Sequence, residues 1–236
     1  MLRELPVTDA MTQTTVDRRQ APALNVASAL LAALLILAPA AAQDGKQPFR
    51  WPEGFERSHV ERNNMSYNVH GATPDQVWAS IREVGPKDSN GRRFAGWTQW
   101  HISWYVRYER DAAGCRLGEA HVRTRISMTL PVWADRGAAS PDLQQSWDQF
   151  ITALARHEEG HASLSVERAG VIERGLTALP AKLTCEAALE DGRTYFSAQM
   201  ADLAKVQAEY DRTTSHGLTQ GVAFPVGLPG GGRPGR

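Results

Sequence analysis

Apolar and polar residues alternate along two stretches in the middle of the chain. In WTQWHISWYVRYER (residues 97–110), the apolar side chains of Trp100, Ile102 and Trp104 are separated by polar ones. The second half of CRLGEAHVRTRISMTL (residues 115–130) alternates in the same way. A period of two is typical of a strand with one buried face. Because only a short DAAG break separates the two stretches, we predict that they form an antiparallel hairpin.

The period becomes helical between Pro141 and Leu179. Apolar residues there recur at spacings of three and four, and the stripe that they form includes Trp147, His157 and His161. Such spacings put side chains on one face of an α-helix, so one long helix is predicted.

Shorter elements surround these. We predict a strand at 66–71, a helix that begins after an N-cap at Thr73, and a last helix from about Arg193 to Thr213. Strands and helices do not alternate as they do in βαβ folds. The predicted fold class is therefore α+β: one domain in which a small antiparallel or mixed sheet packs on the long helix and the C-terminal helix.

The first 42 residues have the organisation of a signal peptide. Two arginines at 18 and 19 precede an apolar run at 26–37, and three alanines at 40–42 precede the predicted cleavage point. The run is shorter than the roughly 20 residues of a membrane span, although a retained single-pass anchor is the alternative. Met11 is an alternative start. We predict export to the periplasm or the medium, with no stable membrane span after cleavage.

Composition sets the other boundaries of the mature chain. Residues 43–63 are polar and form a predicted lead-in, residues 64–222 form the predicted domain, and the Gly- and Pro-rich residues 223–236 form a predicted disordered tail. Lys plus Arg equal Asp plus Glu at 26 each, so the chain has no excess of positive charge that would indicate a nucleic-acid partner.

Two cysteines, Cys115 and Cys185, are predicted to form a disulfide, because an even count in an exported chain favours one. The alternative is a pair of thiolate zinc ligands, but the CxxC spacing of such sites is absent.

The sequence HEEGH on the long helix has the spacing of a metal site. His157 and His161 lie four residues apart on the apolar stripe, so one ion can reach both imidazoles. The pattern H-E-x-x-H on a helix is a known metalloprotease signature. Glu158 lies about 100° round the helix from His157, outside the ligand set and in a position to act as a general base. A zinc ion is the predicted cofactor.

A catalytic zinc ion needs a third protein ligand. The metzincin positions are occupied by Leu164 and Glu167, and a continuing helix would turn Glu167 away from His161. His216, which follows the last predicted helix and precedes Gly217, is the favoured third ligand. Four glutamates are the alternatives for a gluzincin-like site: Glu173, Glu186, Glu190 and Glu209.

Several motifs resemble a bacterial family of predicted secreted zinc-dependent proteases, known as domain of unknown function 922. They are YNVHG, GWTQWHISW, ISMTLPVW, RHEEGH and YDRTTSHG. The resemblance covers about residues 67–221 and implies a zincin-like fold with ligands at His157, His161 and His216. It also implies that Glu158 is the catalytic base. The matching Tyr-Asp pair suggests that Tyr210 donates to the reaction intermediate and that Asp211 orients a ligand histidine from outside the ligand set.

These observations predict a zinc metallopeptidase that hydrolyses peptide bonds in a peptide or protein substrate. Two alternatives remain open. One is a zinc-stabilised envelope binding protein without catalysis, in which Asp211 or Glu209 closes the metal site. The other is a zinc amidase that acts on cell-wall peptides.

Overall fold

The structure, a computed structural model, describes residues 49–225. The predicted signal peptide and most of the predicted tail lie outside the described residues. The described part contains three strands, three α-helices and two short 3₁₀ turns. In chain order, the strands and α-helices are β1 (His59–Val69), α1 (Pro74–Val84), β2 (Trp97–Asp111), β3 (Gly114–Trp133), α2 (Pro141–Ala178) and α3 (Cys185–Thr214).

The three strands form one mixed sheet in the order β1-β3-β2. β2 and β3 pair antiparallel, as the alternating pattern predicts, with Ile102 opposite Thr124 and Val106 opposite Ala120. β1 pairs parallel to β3, with His59 opposite Arg123 and Val69 opposite Trp133. The predicted α+β class is confirmed. The sheet was predicted to be antiparallel or mixed, and it is mixed.

β1 begins seven residues earlier than the predicted strand at 66–71, inside the predicted lead-in. It is an edge strand whose side chains are mostly exposed, so HVERNNMSYNV carries no alternation for a sequence pattern to detect. The residues before it also contact the sheet: Trp51 stacks on His121 with ring centroids 3.8 Å apart.

α2 runs unbroken through HEEGH and packs against β3 and β2 of the sheet. Ser140 caps its N-terminus by accepting a hydrogen bond from the Leu143 backbone N–H, and Pro141 occupies its first turn. The predicted apolar stripe is buried: Trp147, Phe150 and Leu154 are each at most 4% exposed. The helix continues past Glu167 to Ala178, as its lack of a chain-turning glycine predicts.

α3 begins at Cys185, eight residues before the predicted start near Arg193. Thr184 is its N-cap and accepts a hydrogen bond from the Ala187 backbone N–H. The first two turns bury the small residues Cys185, Ala188 and Gly192. Small residues give a weak periodic signal, which explains the wrong boundary.

Two apolar clusters fill the space between sheet and helices. One joins β2 and β3 to the C-terminal half of α2 and to α3, and it includes Val122, Ile172 and Leu203. The other lies around the N-terminal half of α2 and includes Phe150 and Phe224. Phe224 is 2% exposed, although it belongs to the tail that the sequence predicts to be disordered. The prediction is therefore wrong for Phe224, because this aromatic side chain packs in the core although the residues after it are rich in Gly and Pro.

Cys115 and Cys185 form a disulfide, as predicted, which rules out two free thiolate zinc ligands. It ties the start of β3 to the start of α3 across 70 residues. Closing a loop of this length stabilises a fold by about 3–5 kcal/mol in the chain-entropy model. None of the described helices is long and apolar enough to cross a membrane.

Candidate metal site between the two long helices

The two histidines of HEEGH face one carboxylate on α3. The Nε2 atoms of His157 and His161 lie 3.2 and 3.0 Å from Oδ1 of Asp211. These three residues are the only described group of three His, Cys, Asp or Glu side chains that could hold a metal ion, and their ligand atoms all lie within 4.8 Å of one another. Asp211 is predicted from the sequence to lie outside the ligand set, whereas the structure puts its oxygen among the ring nitrogens.

The spacing of these atoms suits a small tetrahedral ion. Ligand atoms at about 2.0–2.2 Å from zinc are about 3.4 Å apart, so the two Nε2–Oδ1 distances need only slight expansion. Burial alone would raise the pKa of Asp211, but hydrogen bonds to His157 and His161 outweigh it and lower that pKa. The pKa of His161 is raised because contact with Asp211 outweighs the effect of burial. The carboxylate therefore stays ionised and available to a cation.

His216 lies at the rim of the same group. Its Nδ1 atom is buried, is 3.8 Å from Oδ1 of Asp211, and has no hydrogen-bond partner among the described residues. A distance of 3.8 Å is too long for a hydrogen bond. A buried nitrogen without a partner is costly unless a ligand occupies it, and an ion beside Asp211 would supply one.

The backbone that presents His216 adopts an uncommon conformation. Ser215 and His216 have φ angles of 49° and 55°, in the left-handed region that non-glycine residues rarely enter. The backbone N–H of His216 donates to the Asp211 carbonyl at 2.7 Å, and the N–H of Gly217 donates to the Thr214 hydroxyl. These bonds hold a strained turn in place, as is common at functional sites.

Glu158 is buried beside the histidines but is not one of the grouped ligands. Its side chain interacts electrostatically with His161, His157 and Asp211, and it is 5% exposed. Burial raises the pKa of its carboxyl group, against the opposing effect of His161. Gly96, before β2, leaves room for it, since a Cβ there would lie 2.7 Å from Glu158 Oε1. The Thr98 hydroxyl donates to the Glu158 carbonyl at 3.1 Å and so ties β2 to α2.

Tyr210 packs flat against one of the two rings. Its ring stacks on His157 with centroids 5.1 Å apart and an angle of 11° between the planes. Its hydroxyl is 3.3 Å from the His157 carbonyl oxygen, to which it donates. The tyrosine thus contacts both the ring and the backbone of a residue of the metal group.

Gly160, a glycine in mid-helix, allows this approach. A Cβ at Gly160 would lie 2.0 Å from the Tyr210 hydroxyl oxygen. We expect Gly160→Ala to destabilise the protein by about 1–3 kcal/mol through overpacking, even though alanine is the better helix former by about 1 kcal/mol. Urea unfolding followed by circular dichroism measures this change.

Gly170→Ala, on the same helix, is the matched control. A Cβ there meets only the end of the flexible Arg174 side chain, at 3.3 Å. This variant should be as stable as the parent or about 0.5–1 kcal/mol more stable. Equal effects of the two substitutions would show that Tyr210 does not constrain Gly160.

The four glutamates considered as third ligands are not part of the metal group. Glu190 pairs with Arg193 and Glu209 with Arg212, both within α3. Gln207 and Gln220 were not predicted from the sequence. Their Oε1 atoms lie 2.5 Å from His161 Nδ1 and 2.9 Å from His157 Nδ1. The signal for Gln207 was present, because it interrupts the apolar face of α3 four residues after Leu203.

These observations define an α+β domain with a potential metal site between its two long helices. The model of a family described as "Bacterial protein of unknown function (DUF922)" matches residues 65–217, and the chain belongs to this family. The resemblance seen in the sequence motifs is thereby confirmed. No curated protein and no solved structure matches the chain.

Proposed function

We propose that this protein is a zinc-dependent metallopeptidase with a zincin-like active-site helix. The observation that carries the proposal is the buried Glu158 carboxylate beside the group formed by His157, His161 and Asp211. Two imidazoles and a carboxylate suit zinc, and a further carboxylate outside the ligand set suits a general base.

The proposed roles follow from these positions. His157 and His161 would hold the ion together with Asp211, and the unpartnered Nδ1 of His216 would face it from the rim. Zinc, when bound, polarises a carbonyl group and makes an attacking water more acidic. Glu158 would accept the proton of this water and deliver it to the leaving amine of the cleaved peptide bond.

The role of Tyr210 as a donor to the reaction intermediate remains a prediction. Its hydroxyl already donates to the His157 carbonyl and lies 3.0 Å from Nε2 of Gln220. To stabilise an oxyanion, the hydroxyl would have to leave the carbonyl partner.

We also propose that the protein is exported. The disulfide between Cys115 and Cys185 supports this proposal, because disulfides persist in oxidising compartments and are rare in the cytosol.

Metal removal and restoration test the proposed activity. The purified full chain should cleave unfolded protein substrates, lose cleavage after chelation, and regain it when zinc is added. Mass spectrometry of a mixed peptide library would give the cleaved bonds. Cleavage of peptidoglycan fragments but not of peptide substrates would favour the amidase alternative. Zinc-loaded protein that cleaves neither substrate would contradict the proposal.

One observation favours a second candidate, a zinc-stabilised binding protein without catalysis. Four potential ligands lie close together, because Asp211 touches both HEEGH rings and His216 Nδ1 is 3.8 Å from its carboxylate. Four protein ligands are typical of a closed structural zinc site. Spectroscopy of cobalt-substituted protein distinguishes the two candidates: an exchangeable water on the ion supports the peptidase, and its absence supports the binding protein.

A further inference from the structure

Each of the two HEEGH histidines takes part in a closed ring of hydrogen bonds. The ring runs from the Nδ1 atom of the histidine through a glutamine and a hydroxyl group to the backbone carbonyl of the same histidine. In the first ring, Gln207 Oε1 is 2.5 Å from His161 Nδ1, and Gln207 Nε2 is 3.0 Å from the Ser165 hydroxyl. The Ser165 hydroxyl donates to the His161 carbonyl at 3.0 Å, which closes the ring. Gln207 Nε2 also donates directly to that carbonyl at 3.0 Å.

The second ring is similar around His157, although Gln220 does not also donate directly to the histidine carbonyl. Gln220 Oε1 is 2.9 Å from His157 Nδ1, and Gln220 Nε2 is 3.0 Å from the Tyr210 hydroxyl. The hydroxyl donates to the His157 carbonyl at 3.3 Å. Gln220 belongs to the turn after α3, so the two rings draw their glutamines from different elements.

In the first ring the orientation of the glutamine amide is fixed. The His161 carbonyl can only accept a hydrogen bond, so the Gln207 atom beside it must be the NH₂ group. Rotating the amide by half a turn would bring two acceptor oxygens together in a site where Gln207 is 3% exposed. Gln207 Oε1 must therefore face His161 Nδ1, and an acceptor there requires a hydrogen on that ring nitrogen.

We propose that Gln207 and Gln220 are positioning residues that accept the Nδ1–H of His161 and of His157 and so keep the Nε2 atom of each ring as the one that would face an ion. In the metal-free protein each Nε2–H donates to Asp211, and an ion beside Asp211 would take the place of these hydrogens. This inference rests on the metal site of the proposed function. It assigns Ser165 and Tyr210 the task of orienting the glutamines through their hydroxyl groups.

The ring protons can be measured in the zinc-loaded protein by the ¹⁵N chemical shifts of the histidine rings and by the exchange of their Nδ1–H protons with water. The parent protein should show a slowly exchanging Nδ1–H on both rings. Gln207→Leu should speed this exchange only at His161, and Gln220→Leu only at His157. Loss of packing alone would not produce such ring-specific changes, so unchanged exchange in both variants would overturn the proposal.

Zinc affinity gives the second readout. Competition with a chromophoric chelator should show binding about 10–100-fold weaker in each variant, the usual effect of losing the partner of a ligand histidine. Gln199→Leu is the matched control: Gln199 lies on α3 but accepts from Arg168, away from the site, and its loss should leave affinity unchanged. If the parent protein binds no zinc, the proposed function is contradicted. If parent and variants bind zinc with equal affinity, only the positioning role of the two glutamines is contradicted.

Tyr210→Phe separates the two roles considered for Tyr210. As a positioning residue, its hydroxyl orients Gln220, so the variant should bind zinc more weakly and exchange the His157 Nδ1–H faster. If the hydroxyl acted only on the reaction intermediate, zinc affinity and this exchange would both be unchanged. The second result would remove Tyr210 from the proposed ring.

Discussion

Replacing His161 by alanine is expected to weaken zinc binding by more than about 100-fold, beyond the effect of losing a partner that only supports a ligand. The Nε2 atom of His161 is 3.0 Å from the Asp211 carboxylate, so the substitution removes one of the proposed zinc ligands. Asp211→Asn should have a comparable effect, since it keeps the volume of the side chain but removes its charge. Equilibrium titration against a competing chelator measures both changes.

Two control variants test whether the loss is specific. His70→Ala removes a histidine whose side chain is 64% exposed and pairs with Asp135. Asp202→Asn changes an α3 carboxylate that pairs with Arg168. Both should bind zinc as the parent does. Zinc binding that survives in His161→Ala and in Asp211→Asn would place the ion elsewhere.

The second large effect is expected at Glu158. Glu158→Gln should keep zinc affinity near that of the parent while peptide hydrolysis falls by about 10²–10⁴-fold, the usual contribution of a general base. The amide fills the space beside Gly96 but cannot accept the proton. Initial rates on a peptide substrate, measured with metal content in the same samples, separate lost chemistry from lost metal.

Glu159→Gln is the matched control for this substitution. Glu159 is the next residue of HEEGH, but its half-exposed side chain pairs with Arg62 on β1 at 2.7 Å. Its substitution should leave the hydrolysis rate within about twofold of the parent, since exposed ion pairs contribute little. A similar loss of rate in both variants would argue against a special role for Glu158.

The elements with strong periodicity could be predicted from the sequence. β2, β3 and α2 each bury one face, so their apolar residues recur at the spacing of the element. β1 could not be predicted to its full length, because an exposed edge strand imposes no such spacing on HVERNNMSYNV. Its parallel pairing with β3 depends on how the chain returns through α1, which local patterns do not encode.

The candidate site could be predicted where its residues lie on one element. His157, Glu158 and His161 follow from the geometry of a single helix. Asp211 was predicted to lie outside the ligand set, and its position among the ring nitrogens depends on how α3 packs against α2. Gln207 and Gln220 were missed because an amide side chain has many uses, and only the folded chain brings each one to a particular ring nitrogen.

We propose that one zinc ion lies between α2 and α3. The most direct test is anomalous diffraction at the zinc absorption edge from crystals of the zinc-loaded protein. We expect one strong peak at about 2.0–2.2 Å from Nε2 of both His157 and His161, and within the same range of Asp211 or His216. A zinc-loaded crystal with no peak between these residues would contradict the proposed zinc site.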